Sequence, residues 1–462
     1  GESGWSVTMD FPEVSGAMSG VPAEWPRWAV RTLLGLLSAT GSVAVLQLIV
    51  GRVRGTEVAR GSSPKGKIGQ QAAFRKFQWQ YLTVYFIIQL ADWLQGTNMY
   101  ALYQSYGVNV AGLFCIGFLS SCVFGTVVGL KVDRFGRRGG CVLYCVIEVI
   151  VNLLEHTSNV PLLIVGRVLG GISNSLLCSA FESWMVSAHR RRQFDEALLA
   201  DTFGWMSAGN GVVAIVAGLV AQVSADALGD IGPFQAAIGL TVAALLFIVQ
   251  WEENFGDQEG PEGSGPAVTV MSSIRADPRI VLLGANTALF EGAMYTFVFI
   301  WVPALLAVVP SGNLPEGLVF SSFMVTVTAG GMLFSTLHSV ARTEVILVVV
   351  YFSAAAAMAV PIVASEFVHV LSAFLVIEMC VGMFFPCAAT MRSRLLPDHL
   401  QSTMMNIFLV PRSALVVAGT MLSDYTSLTN VFALVSCWFF LAGCCQVALL
   451  ACSVRLQHAK IH

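Results

Sequence analysis

The sequence predicts an all-α membrane protein, with two six-helix bundles behind one additional N-terminal transmembrane helix. Three observations lead there: apolar runs of spanning length, a composition poor in charge, and basic residues gathered in alternate loops. Of 462 residues, 56% are hydrophobic and only 11% charged, against about 25% charged in an average soluble domain. A β-barrel would show short alternating segments, whereas these runs are continuous and each is about as long as a bilayer requires.

Taken in order, residues 1–28 form an outer segment. The run 29–50 holds about nineteen apolar-leaning residues where a signal-peptide core has roughly 7–15, so it reads as a retained leading helix. A basic linker, 51–77, follows. Within it GSSPKGKI approaches the phosphate loop G-x-x-x-x-G-K-[ST], but Ile68 replaces the hydroxyl that would hold magnesium, and no preceding strand is indicated. That excludes an ATP-driven pump.

The first bundle, 78–251, contains runs at 78–102, 110–130, 139–156, 161–187, 203–223 and 233–251. A charged, glycine-rich stretch, 252–278, separates it from the second bundle, 279–453, with runs at 279–309, 318–337, 343–364, 368–390, 402–423 and 430–453. A short tail, 454–462, ends the chain. Near-equal halves joined by a long loop are the organisation of a repeat-built secondary transporter, whose site lies at mid-membrane between the halves.

Loop charge tests this topology, because cytoplasmic loops hold the Lys and Arg. All but four of the 25 basic residues fall on one side: in 51–77, at Lys131 to Arg138, Arg190 to Arg192, Arg275 and Arg279, Arg342, Arg392 and Arg394, and in the tail. Opposite loops such as SADALGD and DYTSLTN carry aspartates and no base. The tail is thus cytoplasmic and the N-terminus outside. We call the two ends of the molecule basic and acidic.

Charges within the runs are few. An ionised side chain at membrane depth costs at least about 2.5–3.5 kcal/mol and persists where it pairs, lines water or handles substrate. Such residues are Asp92, Glu148, Arg167, Glu182, Glu291, Glu378 and Arg412, on segments 1, 3, 4, 4, 7, 10 and 11 of the twelve. In segment 4, Arg167, Gly171, Asn174, Cys178 and Glu182 recur at helical spacing and share one face. Arg167 and Glu182 stand about 22 Å apart at about 1.5 Å per residue, so each needs a partner elsewhere. Cys141 and Cys145 lie one turn apart, but two thiols fall short of a metal's ligand set. The histidines lie in loops, at segment ends or in the tail, which argues against a histidine-lined cation path.

The loop GLKVDRFGRR, through Gly129, Asp133, Arg134, Gly136, Arg137 and Arg138, resembles the loop between the second and third helices of the major facilitator superfamily. Lys131 departs from its pattern. Physically, Asp133 can cap a helix start while the bases hold the loop at the cytoplasmic face. GRVLGG at 166–171, with ADWLQG, LYQSYG, SAFESW, ALFEGAMYTFVFIWVP and FSSFM, is similar to one branch, the molybdate-anion transporter family, over about 78–415. That branch also has a leading membrane segment.

The resemblance implies a major facilitator fold with segments 1, 4, 7 and 10 lining a central cavity, and molybdate, or sulfate-like oxyanions, as cargo. Arginine's planar fork suits an oxyanion, so Arg167 is expected to bind it, with Asn174 as a second donor on the same face and Asn98 and Trp301 adding a hydrogen bond or a wall. Carrying a dianion inward against about 100 mV costs about 4.6 kcal/mol, twice the single-charge figure. Asp92, Glu291 and Glu378 are therefore expected to couple uptake to a proton or other ion. Glu148, Glu182 and Arg412 are expected to act as gates or structural pairs. Open alternatives are a carrier of another anion or of a neutral organic solute, in which Arg167 only pairs with a carboxylate, and a facilitator-fold sensor or scaffold. An enzyme is not expected, since no histidine cluster, serine–base motif or nucleotide loop lies in the bilayer. No cofactor, resident metal or nucleic-acid partner is expected, and the bilayer is most simply the plasma membrane.

Overall fold

In lipid every backbone polar group needs a partner within the chain, so continuous apolar runs become helices. The computed structural model describes residues 25–55, 68–255, 277–310, 314–338, 340–396 and 401–459; side chains at 46–55, 68–70, 122, 125–135, 196–197, 200–201, 393, 401–407 and 454–459 also lie outside the described set. Among the described residues there are thirteen long helices: α1 Arg27–Gly55, α2 Ile68–Ser105, α3 Val110–Phe135, α4 Arg137–Leu154, α5 Val160–Arg191, α6 Glu196–Leu228, α7 Gly232–Ile248, α8 Pro278–Leu306, α9 Glu316–Leu337, α10 Thr343–Val363, α11 Phe367–Leu395, α12 Gln401–Tyr425 and α13 Leu428–Ala459.

Eight of them, α1, α5, α6, α8, α9, α10, α11 and α13, are long and apolar enough to cross a membrane by composition. Helices α3 and α7 carry shorter apolar stretches, Val110–Ser121 and Gly232–Ile248. Polar residues interrupt α2 and α4, and several of them, Gln95, Glu148 and Asn152, are buried inside the protein. Helix α2 starts at Ile68, inside the stretch expected as linker, because Phe74, Phe77 and Tyr81 recur at helical spacing and are buried there, while Arg75 and Lys76 stay exposed.

The packing repeats. In the first half α3 packs on α5, α4 on α5, α2 on α6, α2 on α7 and α4 on α7; in the second, α9 on α11, α10 on α11, α8 on α12, α8 on α13 and α10 on α13. Each pair maps onto its counterpart by a shift of six helices. The joints between the bundles, α6 with α9 and α3 with α12, exchange under the same shift, so the halves form a two-fold repeat. Each half has its own core. In the first, Trp184 stacks on Trp251 at 3.9 Å with Tyr81 alongside; in the second, Phe290 stacks on Phe384 at 4.1 Å and contacts Tyr351 and Phe439.

Helix α1 lies outside both bundles and touches both. Trp25 donates its indole N–H to Asp226 at the end of α6 (2.7 Å), while Trp28 meets Phe367 of α11 edge-on at 4.6 Å. Ala29 and Leu33 are buried with Leu318 and Val325 of α9, beside Ile215 and Leu219 of α6.

Asp133 lies within α3, and its side chain, with those of Gly129 and Arg134, lies outside the described set. Gly136 is the N-cap of α4, with φ of +114°, a conformation that favours glycine. The helix start is satisfied from across the bundle. The Glu253 carboxylate accepts from the backbone N–H of Arg138 (2.8 Å) and Gly139 (3.0 Å), and the Asn254 carbonyl from that of Arg137 (2.9 Å). A negative group at a helix N-terminus is where its dipole is favoured. Trp184 and Arg191 hold the same segment by donating to the carbonyls of Glu252 and Glu253 at 2.9 Å each.

Candidate functional site

The two bundles close on each other toward the acidic end. Among the described residues the side-chain hydrogen bonds between them are Asn109 to Asp424 (2.8 Å), Cys115 with Thr420 (3.1 Å), the Gly317 N–H to Gln222 (3.1 Å) and Ser321 to the Ile215 carbonyl (2.9 Å). Glycine permits the tightest of these approaches: a Cβ on Gly218 would lie 2.6 Å from the Gly317 carbonyl oxygen. Phe114 and Tyr100 meet Phe299, and Phe118 meets Tyr295, across the same joint. At the basic end a cavity of about 390 Å³ opens along α5, lined by Cys178, Ser179, Glu182, Ser183, Arg190 and neighbours. The polar face of α5 that the sequence spacing defines is thus its cavity wall over Cys178 and Glu182. Asn174, one turn deeper, is exposed and donates to Ser121 of α3 (3.2 Å).

Arg167 sits elsewhere. It lies about 16 Å from Cys178 toward the acidic end at about 1.5 Å per residue, and it is ion-paired and hydrogen-bonded to Glu155. Tyr103 donates to the same carboxylate (2.9 Å), Tyr106 to the Glu155 carbonyl (2.6 Å), and Arg167 also reaches the Met99 sulfur (3.1 Å). The Glu155 side chain is 1% exposed and that of Arg167 11%. Sequence reasoning misses Glu155 as an intramembrane charge, since it falls at the end of its apolar run.

Glu148 is held without a base. Ser173 (2.5 Å), Gln95 (2.9 Å) and Asn152 (3.3 Å) donate to its carboxylate, tying α5, α2 and α4 together. Asp92, on α2, has no hydrogen bond or ion pair among the described residues. Beside it, Gln89 and Trp93 both donate to Asn210 of α6 at 3.0 Å. Asn98 is buried and accepts from Thr97 (3.0 Å); Trp301 is 5% exposed and packs edge-on against Phe323.

In the second bundle, Arg412 of α12 meets Glu291 of α8 at 3.3 Å and lies over the Tyr295 ring, 5.3 Å from its centre. The α12 stripe Phe408, Arg412, Leu415, Gly419 faces α8, with Phe408 against Gly284, Leu415 against Gly292 and Gly419 against Thr296. Arg392, in the last turn of α11, is partly buried, within electrostatic reach of Glu291 and Tyr351, and has no ion pair among the described residues. Glu378 is buried with no hydrogen bond or ion pair among them. Asn286 donates to Gln446 at 2.6 Å in the core. No group of three His, Cys, Asp or Glu among the described residues is placed to hold a metal.

A family model of sugar transporters with twelve transmembrane segments matches residues 45–383. The molybdate-anion transporter of Xenopus tropicalis is 34% identical over 419 residues, covering 85% of this chain and 89% of the relative. That of Danio rerio is 32% identical over 386 residues, covering 75% and 79%. Among solved structures, a point mutant of the nucleoside transporter NupG superposes with a TM-score of 0.66 at 10% identity, over 80% of this chain and 99% of that one. The POT family transporter PepTSo does so at 0.64 and 12%, over 83% and 99%. At such identities the structural likeness speaks for the fold alone.

Proposed function

The chain belongs to the molybdate-anion transporter family of the major facilitator superfamily, and on that premise we propose that it carries molybdate across the plasma membrane by alternating access. The observation that carries this reading is that the bundles are hydrogen-bonded to each other at the acidic end while a cavity along α5 opens at the basic end. With the basic loops in the cytoplasm, this supports an inward-facing state, in which cargo would leave past Cys178, Glu182 and Arg190. Cavities open to one side and sealed on the other are what a carrier needs to move a solute without a continuous pore.

Uptake of a dianion against an inside-negative potential requires a driving ion. We assign that task to the carboxylates lacking a full partner, Asp92, Glu291 and Glu378, with the proton as coupling ion. Arg167, closed against Glu155 and Tyr103, serves in this reading as a tie within the first bundle, while Asn174, exposed one turn deeper than the cavity lining at Cys178, is the donor assigned to cargo. A neutral organic solute is the second reading, favoured by the fact that both intramembrane arginines already meet carboxylates.

Purified protein in sealed vesicles decides between them. Molybdate should accumulate when the outside is made acid, and sulfate in excess should slow it. Vesicles that take up no more molybdate than protein-free controls, under any imposed pH gradient, would reject the oxyanion reading.

A further inference from the structure

Two arginines of the second bundle, Arg412 and Arg392, are poorly used by the protein itself. A guanidinium offers five N–H donors, yet Arg412 makes one hydrogen bond among the described residues, at 3.3 Å, and its Nε is buried with no acceptor. Arg392 makes no ion pair there at all. Glu291 pairs with Arg412 at 3.3 Å and is within electrostatic reach of Arg392. The three groups together therefore carry one net positive charge with Glu291 ionised, and two once Glu291 is protonated. That second value is the charge of a tetrahedral dianion with its sign reversed.

The position fits as well. Arg412 and Tyr295 are within electrostatic reach of Cys178, and Cys178 lines the cavity open to the basic end. A solute climbing that cavity along α5 reaches Cys178, which lies within electrostatic reach of Arg412. Resting on the reading of the chain as an oxyanion carrier, we propose that molybdate binds between Arg412 and Arg392 by displacing Glu291, which takes up a proton as it leaves Arg412.

The exchange balances. Arg412 gives up one charge-assisted hydrogen bond to Glu291 and turns its fork to the oxyanion, a better geometric match than a single long contact. A carboxylate left in a desolvated wall without its cation takes a proton instead of staying charged. The proton comes from water in the cavity, forms an O–H bond on the Glu291 carboxyl, and both arginines stay protonated. The groups within electrostatic reach of Glu291 are Arg412 of α12, Arg392 of α11, Tyr351 of α10 and Tyr295 of α8 itself, and Cys178 of α5, in reach of Arg412 and Tyr295, is also in reach of Asp92 and Glu182. Of these carboxylates Glu291 is the one paired with Arg412, so the proton is assigned to Glu291.

The test uses the full chain purified in detergent, in weak buffer with a pH indicator near neutrality, titrated with molybdate. Wild type should take up about one proton per molybdate bound, and its affinity should fall as pH rises. Glu291→Gln should bind at least as tightly, take up no proton, and bind independently of pH. Arg412→Lys and Arg392→Gln should each weaken binding by about tenfold or more, equivalent to about 1.4 kcal/mol. Melting curves identify any variant that is misfolded, and the proton count on wild type does not depend on the variants at all. A full proton taken up by Glu291→Gln, or unchanged affinity in folded Arg412→Lys and Arg392→Gln, overturns the assignment while leaving the carrier reading in place. A folded wild type that binds neither molybdate nor sulfate and transports neither overturns both.

Discussion

Three arginine–carboxylate pairs form a graded series through the molecule. Arg167–Glu155 is sealed, with side chains 11% and 1% exposed and two tyrosines closing over the glutamate. Arg412–Glu291 is intermediate, 19% and 14% exposed, held by one contact at 3.3 Å. Arg279–Asp277, at the start of α8, is the most open at 27% and 24%, yet it has the most hydrogen bonds, the carboxylate accepting from the guanidinium at 2.5 to 3.0 Å and from the Arg279 backbone N–H at 2.9 Å. Pairing alone does not mark function. A pair can change partners during a cycle only where it is reachable and incompletely satisfied, and the second bundle is where both conditions meet.

The largest effect should come from breaking the sealed pair. Glu155→Ala leaves Arg167 buried without its counter-ion, a loss of about 3–5 kcal/mol for such pairs. Chemical denaturation in detergent, read by tryptophan fluorescence, should show it, and Glu291→Ala should lose less, because the Arg412 side chain is 19% exposed against 11% for Arg167. Equal losses would erase the distinction between the two pairs.

Next in size is a separation of roles under one conservative change. Arg167→Lys should lower the melting temperature while leaving molybdate affinity of the folded protein within about twofold, less than about 0.5 kcal/mol. Should Arg167→Lys instead weaken binding with unaltered melting, the oxyanion site belongs to the first bundle after all.

The smallest effect is at the exposed pair. The Arg279 guanidinium, hydrogen-bonded to Asp277, holds that carboxyl below the usual carboxylate range. A lowered acid contributes stability that is present above its unfolded value and lost as pH falls through the folded one. The difference in melting temperature between wild type and Asp277→Asn should therefore shrink on acidification below about pH 4, the ordinary aspartate range. A difference that grows as pH falls would contradict the pairing.

Much of the fold is legible in the sequence because membrane insertion imposes its rules on short stretches: runs of spanning length, basic loops on alternate sides, six segments in each half. The site is less so. Spacing puts Arg167, Asn174, Cys178 and Glu182 on one face of α5, but periodicity does not say which part of a face meets a neighbouring helix and which meets a cavity. Glu155 escapes notice at the edge of an apolar run, and Arg392 counts as a loop base in the sequence although it lies in the last turn of α11. Glu253, whose carboxylate completes the start of α4, lies in a stretch that reads only as the beginning of a long loop. In each case the partner is distant in sequence and close in space, so no local pattern announces it.

Helix α1 adds a mechanical consequence. It is fastened to α6 through Trp25 and Asp226 and to the second bundle through Trp28 and Phe367, at the end where the halves are closed. Any motion that parts α6 from α9 there must tear one fastening or stretch the other, while motion at the far end leaves both untouched. Helix α1 is in that sense a buckle on one side of a two-sided hinge, and its grip preloads the protein toward the posture it now holds.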